Sequence, residues 1–364
     1  MNDGKVVMEN KDFDKYLTYD ENNKNIKVAV AMSGGVDSST VAYILKKQGY
    51  DIFGVTMRTC GPEDSDADKV CKDLGIDHYI LDATKEFKEK VMDYFIKEYS
   101  EGRTPNPCMV CNKHVKFGSL IDFALSQGAQ FMATGHYAQI KDGTLVMGDD
   151  ENKDQVYFLS QIKKENVKHI LFPIGNFEKP KVRELAKYLG VRVYAKKDSQ
   201  EICFVEDGKL DEYLSDNTRG KTSIPGDIVD INGKVLGRHK GLAYYTIGQR
   251  KGIGVSLEKP VYVIKLDGKN NRLVVGENDL LFKDGLEAEK INLFTFNTLK
   301  DLDGIECWAK TRSRDKLHKC RIKVLDEDKI KVEFIENKVR AITPGQGVVF
   351  YDKDRKVIGS GFIL

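Results

Sequence analysis

Short apolar runs alternate with amphipathic stretches through the first half of the chain. Ile26–Met32 is an apolar run of strand length, and Val41, Ile44 and Leu45 behind it fall at helical spacing until Gly49. The unit repeats. Ile52–Met57 predicts a strand and Ala67–Leu74 a helix stopped at Gly75. His78–Leu81 predicts a strand, and Phe87–Tyr99 places Phe87, Val91, Tyr94 and Phe95 along one helical side. Beyond a proline-rich interruption, a helix is expected from Cys108 to about Gln127, with Val115, Leu120, Ile121 and Ala124 facing inward, and then a strand at Phe131–Thr134. Strands alternating with helices predict a parallel sheet with helices on both faces, whose ligands sit beyond the carboxyl ends of the strands. Tyr137–Ile140 and Leu145–Met147 form a hairpin through Asp142-Gly143. Val156–Ile162 reads as helical, and the amphipathic Lys179–Leu189 stops at Gly190 before Val191–Ala195.

Near Val205 the pattern changes. Pro225-Gly226, Asn232-Gly233 and Gly248 punctuate short strands, and Gly237–Gly254 mixes basic, aromatic and glycine residues. From Asp279 onward, short strands are expected at Glu306–Lys310, Lys319–Leu325, Ile330–Phe334, Lys338–Ile342, Gly347–Phe350 and Val357–Ile363. Such regular spacing suggests a small barrel or sandwich. The expected fold class is α/β: an N-terminal doubly wound parallel sheet over 26–205, a small mostly-β central domain over 206–278 and a C-terminal β-barrel over 279–364. A polar extension, 1–25, precedes them.

Composition narrows the class. The chain has 364 residues, 41% hydrophobic and 31% charged, enough for two or three well-packed domains. No apolar run reaches the roughly 18 residues that a membrane span needs. Met1–Asn25 lacks the apolar core of an export signal, so a cytoplasmic location is expected. Seven cysteines, an odd number, then point to reduced thiols rather than a disulfide scaffold. A net charge of +2 excludes a uniformly basic nucleic-acid binder, so any polyanion must meet a local cluster. Lys310, Arg312, Arg314, Lys316, Lys319 and Arg321 form one such run, read equally as a solvated face or as phosphate contacts.

The chemistry is organised around Ser33-Gly34-Gly35-Val36-Asp37-Ser38-Ser39, at the turn from the first strand into the first helix. Two glycines there free successive backbone N–H groups, which converge with three serine hydroxyls and the helix dipole on a phosphate-sized spot. A Gly-Gly turn with a serine cap is the plainer reading. No Gly-Lys-Ser/Thr follows, so this is not the Walker loop, and the third glycine of the dinucleotide fingerprint is missing. Downstream, Pro105-Asn106-Pro107 leads into Cys108-Met109-Val110-Cys111. A helix start lowers thiol pKa, so a reactive pair is expected, with two small core residues as the alternative. Cys71 and Cys307 read as core. Cys203, within Asp198–Phe204, taken alone reads more readily as buried than as catalytic, and Lys153-Asp154-Gln155 as a solvated helix start.

Ser-Gly-Gly-Val-Asp-Ser-Ser resembles the pyrophosphate loop of the ATP pyrophosphatase superfamily, which cleaves ATP between the α and β phosphates and adenylates a substrate. The wider set resembles the tRNA-specific 2-thiouridylases. It comprises that loop, Arg103–Pro107 followed by Cys111-Asn112-Lys113, Ala133–Ala138, Lys153-Asp154-Gln155, Glu201-Ile202-Cys203-Phe204, Thr246–Gly252 and Thr343–Gln346, and it spans Ile26 to Leu364. The resemblance implies an adenine nucleotide alpha hydrolase-like sheet and an enzyme that adenylates the 2-carbonyl oxygen of the wobble uridine and then replaces it with sulfur. It implies that Ala31, Met32, Ser33, Gly34, Gly35, Val36, Asp37, Ser38, Met57 and Gly135 contact ATP, with Asp37 helping to hold Mg²⁺. It implies that Asn106, Pro107 and Cys108 meet the target base. His136, Lys153, Asp154, Gln155, Arg312, Ser313 and Gln346 fall where the family touches tRNA. Cys111 matches the first catalytic cysteine and Cys203 the one carrying persulfide, the two joining in a disulfide as sulfur is released.

The resemblance also implies tRNAs for lysine, glutamate and glutamine as substrates and a cysteine desulfurase or relay protein as sulfur donor. Two departures stand out. Many members have aspartate where Cys108 stands, and much of the insertion after the second strand is missing, leaving Cys60 there. Cys108, Cys111 and Cys203 together would suit a [4Fe-4S] cluster with one open iron, an alternative to the persulfide route. Another pyrophosphate-loop ligase or thiolase, and a non-catalytic RNA-binding or sulfur-carrier protein, are the competing functions.

Overall fold

The computed structural model describes residues 11–364 apart from 61–64, 198–201, 219 and 256–257. The first ten residues of the extension and Asp198–Glu201 of the second cysteine stretch therefore lie outside the described residues.

The N-terminal sheet is built from β1 (Lys27–Ala31), β2 (Asp51–Arg58), β3 (His78–Asp82) and β4 (Phe131–Ala133). Next in the chain come the hairpin strands β5 (Ala138–Lys141) and β6 (Thr144–Met147), and then β7 (Ile170–Leu171), which closes the main sheet. All five main strands run parallel in the order β3-β2-β1-β4-β7. β1 is central, and its side chains alternate between two cores. Val28 and Val30 pack with helices α1 (Val36–Lys47) and α2 (Ser65–Leu74), whereas Ala29 packs with the helices on the other face. Those are α3, built from Thr84–Phe87, Lys88–Met92 and Asp93–Ser100, and α4, built from Pro107–Cys111, Asn112–Ser119 and Leu120–Ser126. After the short α5 (Val156–Leu159), α6 (Lys179–Tyr188) returns to the α1 face. Cys71 is core, lying so close over Gly54 that a Cβ there would meet its sulfur at 2.5 Å.

The central region carries a four-stranded sheet: β8 (Gly226–Val229), β9 (Val235–His239), β10 (Tyr262–Asp267) and β11 (Arg272–Gly276), ordered β10-β11-β8-β9. The C-terminal region is a closed six-stranded antiparallel barrel of β12 (Gly285–Leu293), β13 (Glu306–Lys310), β14 (His318–Val324), β15 (Lys329–Phe334), β16 (Gly347–Tyr351) and β17 (Val357–Ile363). Closure leaves no unpaired edge. The strand expected at Lys338–Ile342 shrinks to Val339–Arg340, which pairs with Phe282–Lys283 outside the barrel. The first barrel strand and the two-residue β7 were not expected. β12 mixes charged and apolar residues, and two residues show no period.

The barrel docks on the N-terminal unit through backbone and side-chain bonds. Val146 and Lys356 form an antiparallel bridge, and Thr144 Oγ1 donates to the Val357 carbonyl at 3.2 Å. The buried Tyr157 hydroxyl donates to the Gly347 carbonyl at 2.9 Å, and Ser360 Oγ to the Ser160 carbonyl at 2.7 Å. This docking sets the barrel beside the start of α4.

Candidate functional site

The turn after β1 folds on itself through its serines. The Ser33 amide donates to Ser38 Oγ at 3.2 Å, and Ser39 Oγ donates to the Gly35 carbonyl at 2.8 Å. Gly34 takes a φ of 68°, which favours glycine, and Gly35 is the residue before the first turn of α1. Met32 and Val36 are buried, so they present only backbone to anything bound above the turn, while Ser33 is exposed. Met57, near the end of β2, packs partly buried against the same core as Ala31. Gly135, at the carboxyl end of β4, presses on α1: a Cβ there would lie 2.7 Å from the Ser38 nitrogen and 2.8 Å from Asp37 Cβ.

Two lysines that the sequence separates widely from the turn come back to it. Lys179 Nζ donates to both carboxylate oxygens of Asp37, at 2.8 and 2.7 Å, and the Tyr137 hydroxyl donates to Oδ1 at 2.9 Å. Lys196 Nζ bridges the Gly34 carbonyl at 3.1 Å and Asp66 Oδ2 at 3.0 Å. The missing Walker lysine thus has tertiary counterparts. No local signal pointed to either one.

The thiols gather at the start of α4. Asn106 caps the helix, its Oδ1 accepting the Met109 amide at 3.2 Å, with Pro107 in the first turn. Asn106 and Pro107 are buried, Cys111 is 6% exposed, and Cys108 faces solvent. Cys203 also touches solvent, and Cys60 Sγ stands 3.8 Å from its carbonyl oxygen. The thiols of Cys111, Cys60 and Cys108 all act electrostatically on Cys203, so four sulfurs share one recess. All seven cysteines are free thiols.

The expectation of acidified thiols is overturned. Burial pushes the pKa values of Cys108 and Cys111 up, with the nearby Lys116 ammonium opposing it. Cys203 is pushed up to about 12, by burial first and then by Cys111. Desolvation of a thiolate outweighs the dipole of a five-residue α-turn that passes straight into a wider π-helical segment. With its pKa near 12, Cys203 is about one part in 10⁴ thiolate at pH 8. Its alkylation by iodoacetamide is therefore expected to rise about tenfold per pH unit between 7 and 10 without a plateau, as peptide mass mapping would read. A plateau near pH 7 would contradict this electrostatic reading. Among the described residues no group of three or more His, Cys, Asp or Glu side chains is arranged to hold a metal ion. Cys108, Cys111 and Cys203 are thus not arranged as the ligands of a cluster in this structure.

Residues expected to touch tRNA divide into exposed and structural ones. His136 is half-buried, its Nδ1 2.9 Å from Thr134 Oγ1 and its ring 5.5 Å from that of Phe117 and 6.2 Å from that of Phe172. Burial drives its pKa down to about 3, so it is neutral at pH 7. Lys153 is exposed, but Asp154 is 8% exposed, and its Oδ1 accepts the Gly148 amide at 2.9 Å. Burial raises the Asp154 pKa. Gln155 holds Tyr137 in place, Oε1 accepting its amide at 3.0 Å and the Gln155 amide donating to its carbonyl at 2.9 Å. Of the basic run, Arg312, Arg314 and Lys316 are exposed around Ser313 between β13 and β14, Lys310 is buried, and Lys319 and Arg321 pair with Glu306. Gln346 Nε2 donates to the Thr104 and Pro105 carbonyls at 2.9 and 3.1 Å, so the barrel clamps the loop that leads into Cys108.

One pair of residues joins the two halves of the site. Gly135 abuts Asp37 and Ser38, while the next residue, His136, packs on Phe117 of α4 and lies within electrostatic range of Lys116, the ammonium that also faces the thiols. The serine-glycine turn and the thiol recess therefore flank the same strand end.

Three family models match successive parts of the chain. Residues 26–207 match a family model described as tRNA methyl transferase HUP domain, 212–277 one described as tRNA methyl transferase PRC-barrel domain, and 283–363 one described as Aminomethyltransferase beta-barrel domain. The tRNA-specific 2-thiouridylase MnmA 1 of Fusobacterium nucleatum is 64% identical over 352 residues, 97% of each chain. The tRNA-specific 2-thiouridylase MnmA of Clostridium beijerinckii is 44% identical over 356 residues, covering 93% of this chain and 98% of its own. A solved structure titled U34-tRNA thiolase NcsA from Methanococcus maripaludis with its [4Fe-4S] cluster gives a TM-score of 0.35 at 19% identity, over 58% of this chain and 75% of that one. That likeness is too distant to transfer anything.

Proposed function

The chain belongs to the tRNA-specific 2-thiouridylases, and from that premise we propose that it thiolates the wobble uridine of tRNA in two steps within one cleft. In the first, the uridine 2-carbonyl oxygen attacks the α-phosphorus of ATP. Pyrophosphate leaves along the turn Ser33–Ser38, whose amides and hydroxyls face it, and the oxygen becomes a good leaving group as an adenylate. Asp37 is the residue to hold Mg²⁺, which neutralises charge on the departing phosphates. Ala31, Met32, Gly34, Gly35, Val36, Met57 and Gly135 shape the nucleotide's seat.

In the second step, the outer sulfur of a Cys203 persulfide bonds to uridine C2 and AMP departs. The Cys111 thiolate then attacks Cys203 Sγ. The persulfide S–S bond breaks, its electron pair stays with the sulfur on C2 as a thiocarbonyl, and a Cys111–Cys203 disulfide remains for an external dithiol to reduce. A cysteine desulfurase or relay protein loads Cys203: its thiolate attacks the outer sulfur of the donor's persulfide, the donor's S–S bond breaks and the donor cysteine thiolate leaves. A persulfide is a stronger acid than its parent thiol. Cys108 and the neutral His136 face the extruded base, an arrangement that base-modifying enzymes use. Arg312, Ser313 and Lys153 meet the RNA backbone, while Asn106, Pro107, Asp154, Gln155 and Gln346 hold the contact surfaces in shape. The lysine, glutamine and glutamate tRNAs are the proposed substrates.

The observation that carries this reading is the Gly135–His136 strand end, shared by the phosphate turn and the thiol recess. Mass analysis of unmodified tRNA, after incubation with ATP, Mg²⁺ and a desulfurase and with protein stripped of iron, tests it. Oxygen-to-sulfur exchange in the wobble uridine is expected, with ATP converted to AMP only when unmodified tRNA is present. Cys108→Asp is expected to retain thiolation. AMP formation without tRNA would favour another pyrophosphate-loop ligase, and no ATP turnover at all a carrier. Thiolation that requires iron would restore the cluster route.

A further inference from the structure

Lys179 is built into the phosphate turn rather than leaning on it. Its residue is 7% exposed, its ammonium spans both oxygens of Asp37 at 2.8 and 2.7 Å, and it lies 5.7 Å from the centre of the Tyr137 ring. Its backbone is anchored as well: the Lys179 amide donates to Asp150 Oδ2 at 3.0 Å, which fixes the first turn of α6. Asp150 Oδ1 in turn accepts the amides of Asn152 at 3.0 Å and Lys153 at 3.2 Å. A buried ammonium is costly unless paired, and here its partner is the same carboxylate that Mg²⁺ needs. Two cations cannot both take Asp37 in the same geometry. A lysine on a flexible four-carbon stem can move its point charge a short way, and the nearest new anion would be the nucleotide's own phosphates.

We propose that Lys179 is the exchangeable counter-ion of the phosphate turn: it neutralises Asp37 while no nucleotide is bound, yields the carboxylate to Mg²⁺ when Mg·ATP arrives, and transfers its ammonium to a phosphate oxygen. The inference rests on the ATP-binding reading above. It also explains how a turn with no lysine of its own handles phosphate charge. The ammonium is delivered by α6 from 142 residues downstream and is stored on the metal-binding acid until needed.

The test compares wild type with Lys179→Met by isothermal titration of ATP with and without Mg²⁺, and by thermal melts in Mg²⁺ alone. Loss of one charge-assisted phosphate contact is expected to weaken Mg·ATP binding about tenfold or more. With the Asp37 carboxylate left with the Tyr137 hydroxyl but no ammonium, Lys179→Met should melt lower than wild type. It should also gain a rise in melting midpoint with millimolar Mg²⁺ and no nucleotide, a rise that wild type lacks. Adding Asp37→Asn should abolish that Mg²⁺ response. Lys179→Gln keeps a hydrogen-bond donor toward Asp37 and carries the same affinity measurement if the methionine variant does not fold. Wild-type affinity in the variants with no Mg²⁺ response would overturn the counter-ion role while leaving the ATP site intact. Failure of wild type itself to bind ATP would overturn the ATP reading instead.

Discussion

Cys111→Ala and Cys203→Ala should each lower thiolation of unmodified tRNA by at least about 10³-fold, because each removes a sulfur that forms or breaks a bond in every turnover of the proposed mechanism. ATP affinity should stay at the wild-type value, since neither side chain touches Asp37 or the serines of the turn. The argument is positional. Cys111 sits in the first turns of α4 at 6% exposure, Cys203 touches solvent, and the two thiols are close enough to act on one another electrostatically. Cys111→Ser controls for packing, because it nearly preserves volume and should be as inactive as alanine. Mass analysis of the tRNA together with titration of ATP separates the outcomes. Thiolation surviving in either alanine variant would remove that residue from the sulfur path.

Gly135→Ala should cut ATP affinity by roughly 10- to 100-fold, the consequence of the 1–3 kcal/mol typical of forcing extra atoms into a packed site. The added Cβ would stand 2.7 Å from the Ser38 nitrogen, 2.8 Å from Asp37 Cβ and 2.9 Å from the Asp37 carbonyl carbon. Two of those three are backbone atoms in the first turn of α1, so nothing flexible can swing aside. The helix start must shift, and with it the amides that face phosphate in the proposed site. Iodoacetamide labelling of Cys203 should be unchanged, which places the lesion at the nucleotide and not at the thiols. Equal ATP affinity in Gly135→Ala and wild type would mean that the nucleotide does not use this turn.

Much of the architecture was legible along the chain because its signals are local. β1 reads as a continuous apolar run because helices cover both of its faces, and the helices α1 and α2 read as stopping at Gly49 and Gly75, each with positive φ. β7 escaped notice because two residues carry no period, and Val339–Arg340 fell short because its partner, Phe282–Lys283, supplies only two residues of pairing. The candidate site was legible in a different sense. The serine-glycine turn, the Cys108–Cys111 spacing and Cys203 could all be named from the chain, but their electrostatics could not. A helix start suggested acidified thiols, and the recess around them reversed the sign.

What the amino-acid order determined alone is the alternation of strands and helices, the backbone freedom of Gly34, and the family to which the motifs point. Spacing within about a dozen residues sets these, through periodicity and allowed dihedral angles. Only the tertiary structure decided that Lys179 and Lys196 serve a turn lacking its own lysine, that Gln346 clamps the loop entering α4, and that His136 is neutral. The physical reason is common to all of these. Ion pairs and desolvation depend on which groups share a small volume, and the partners here stand more than a hundred residues apart or are defined by burial that no local pattern records.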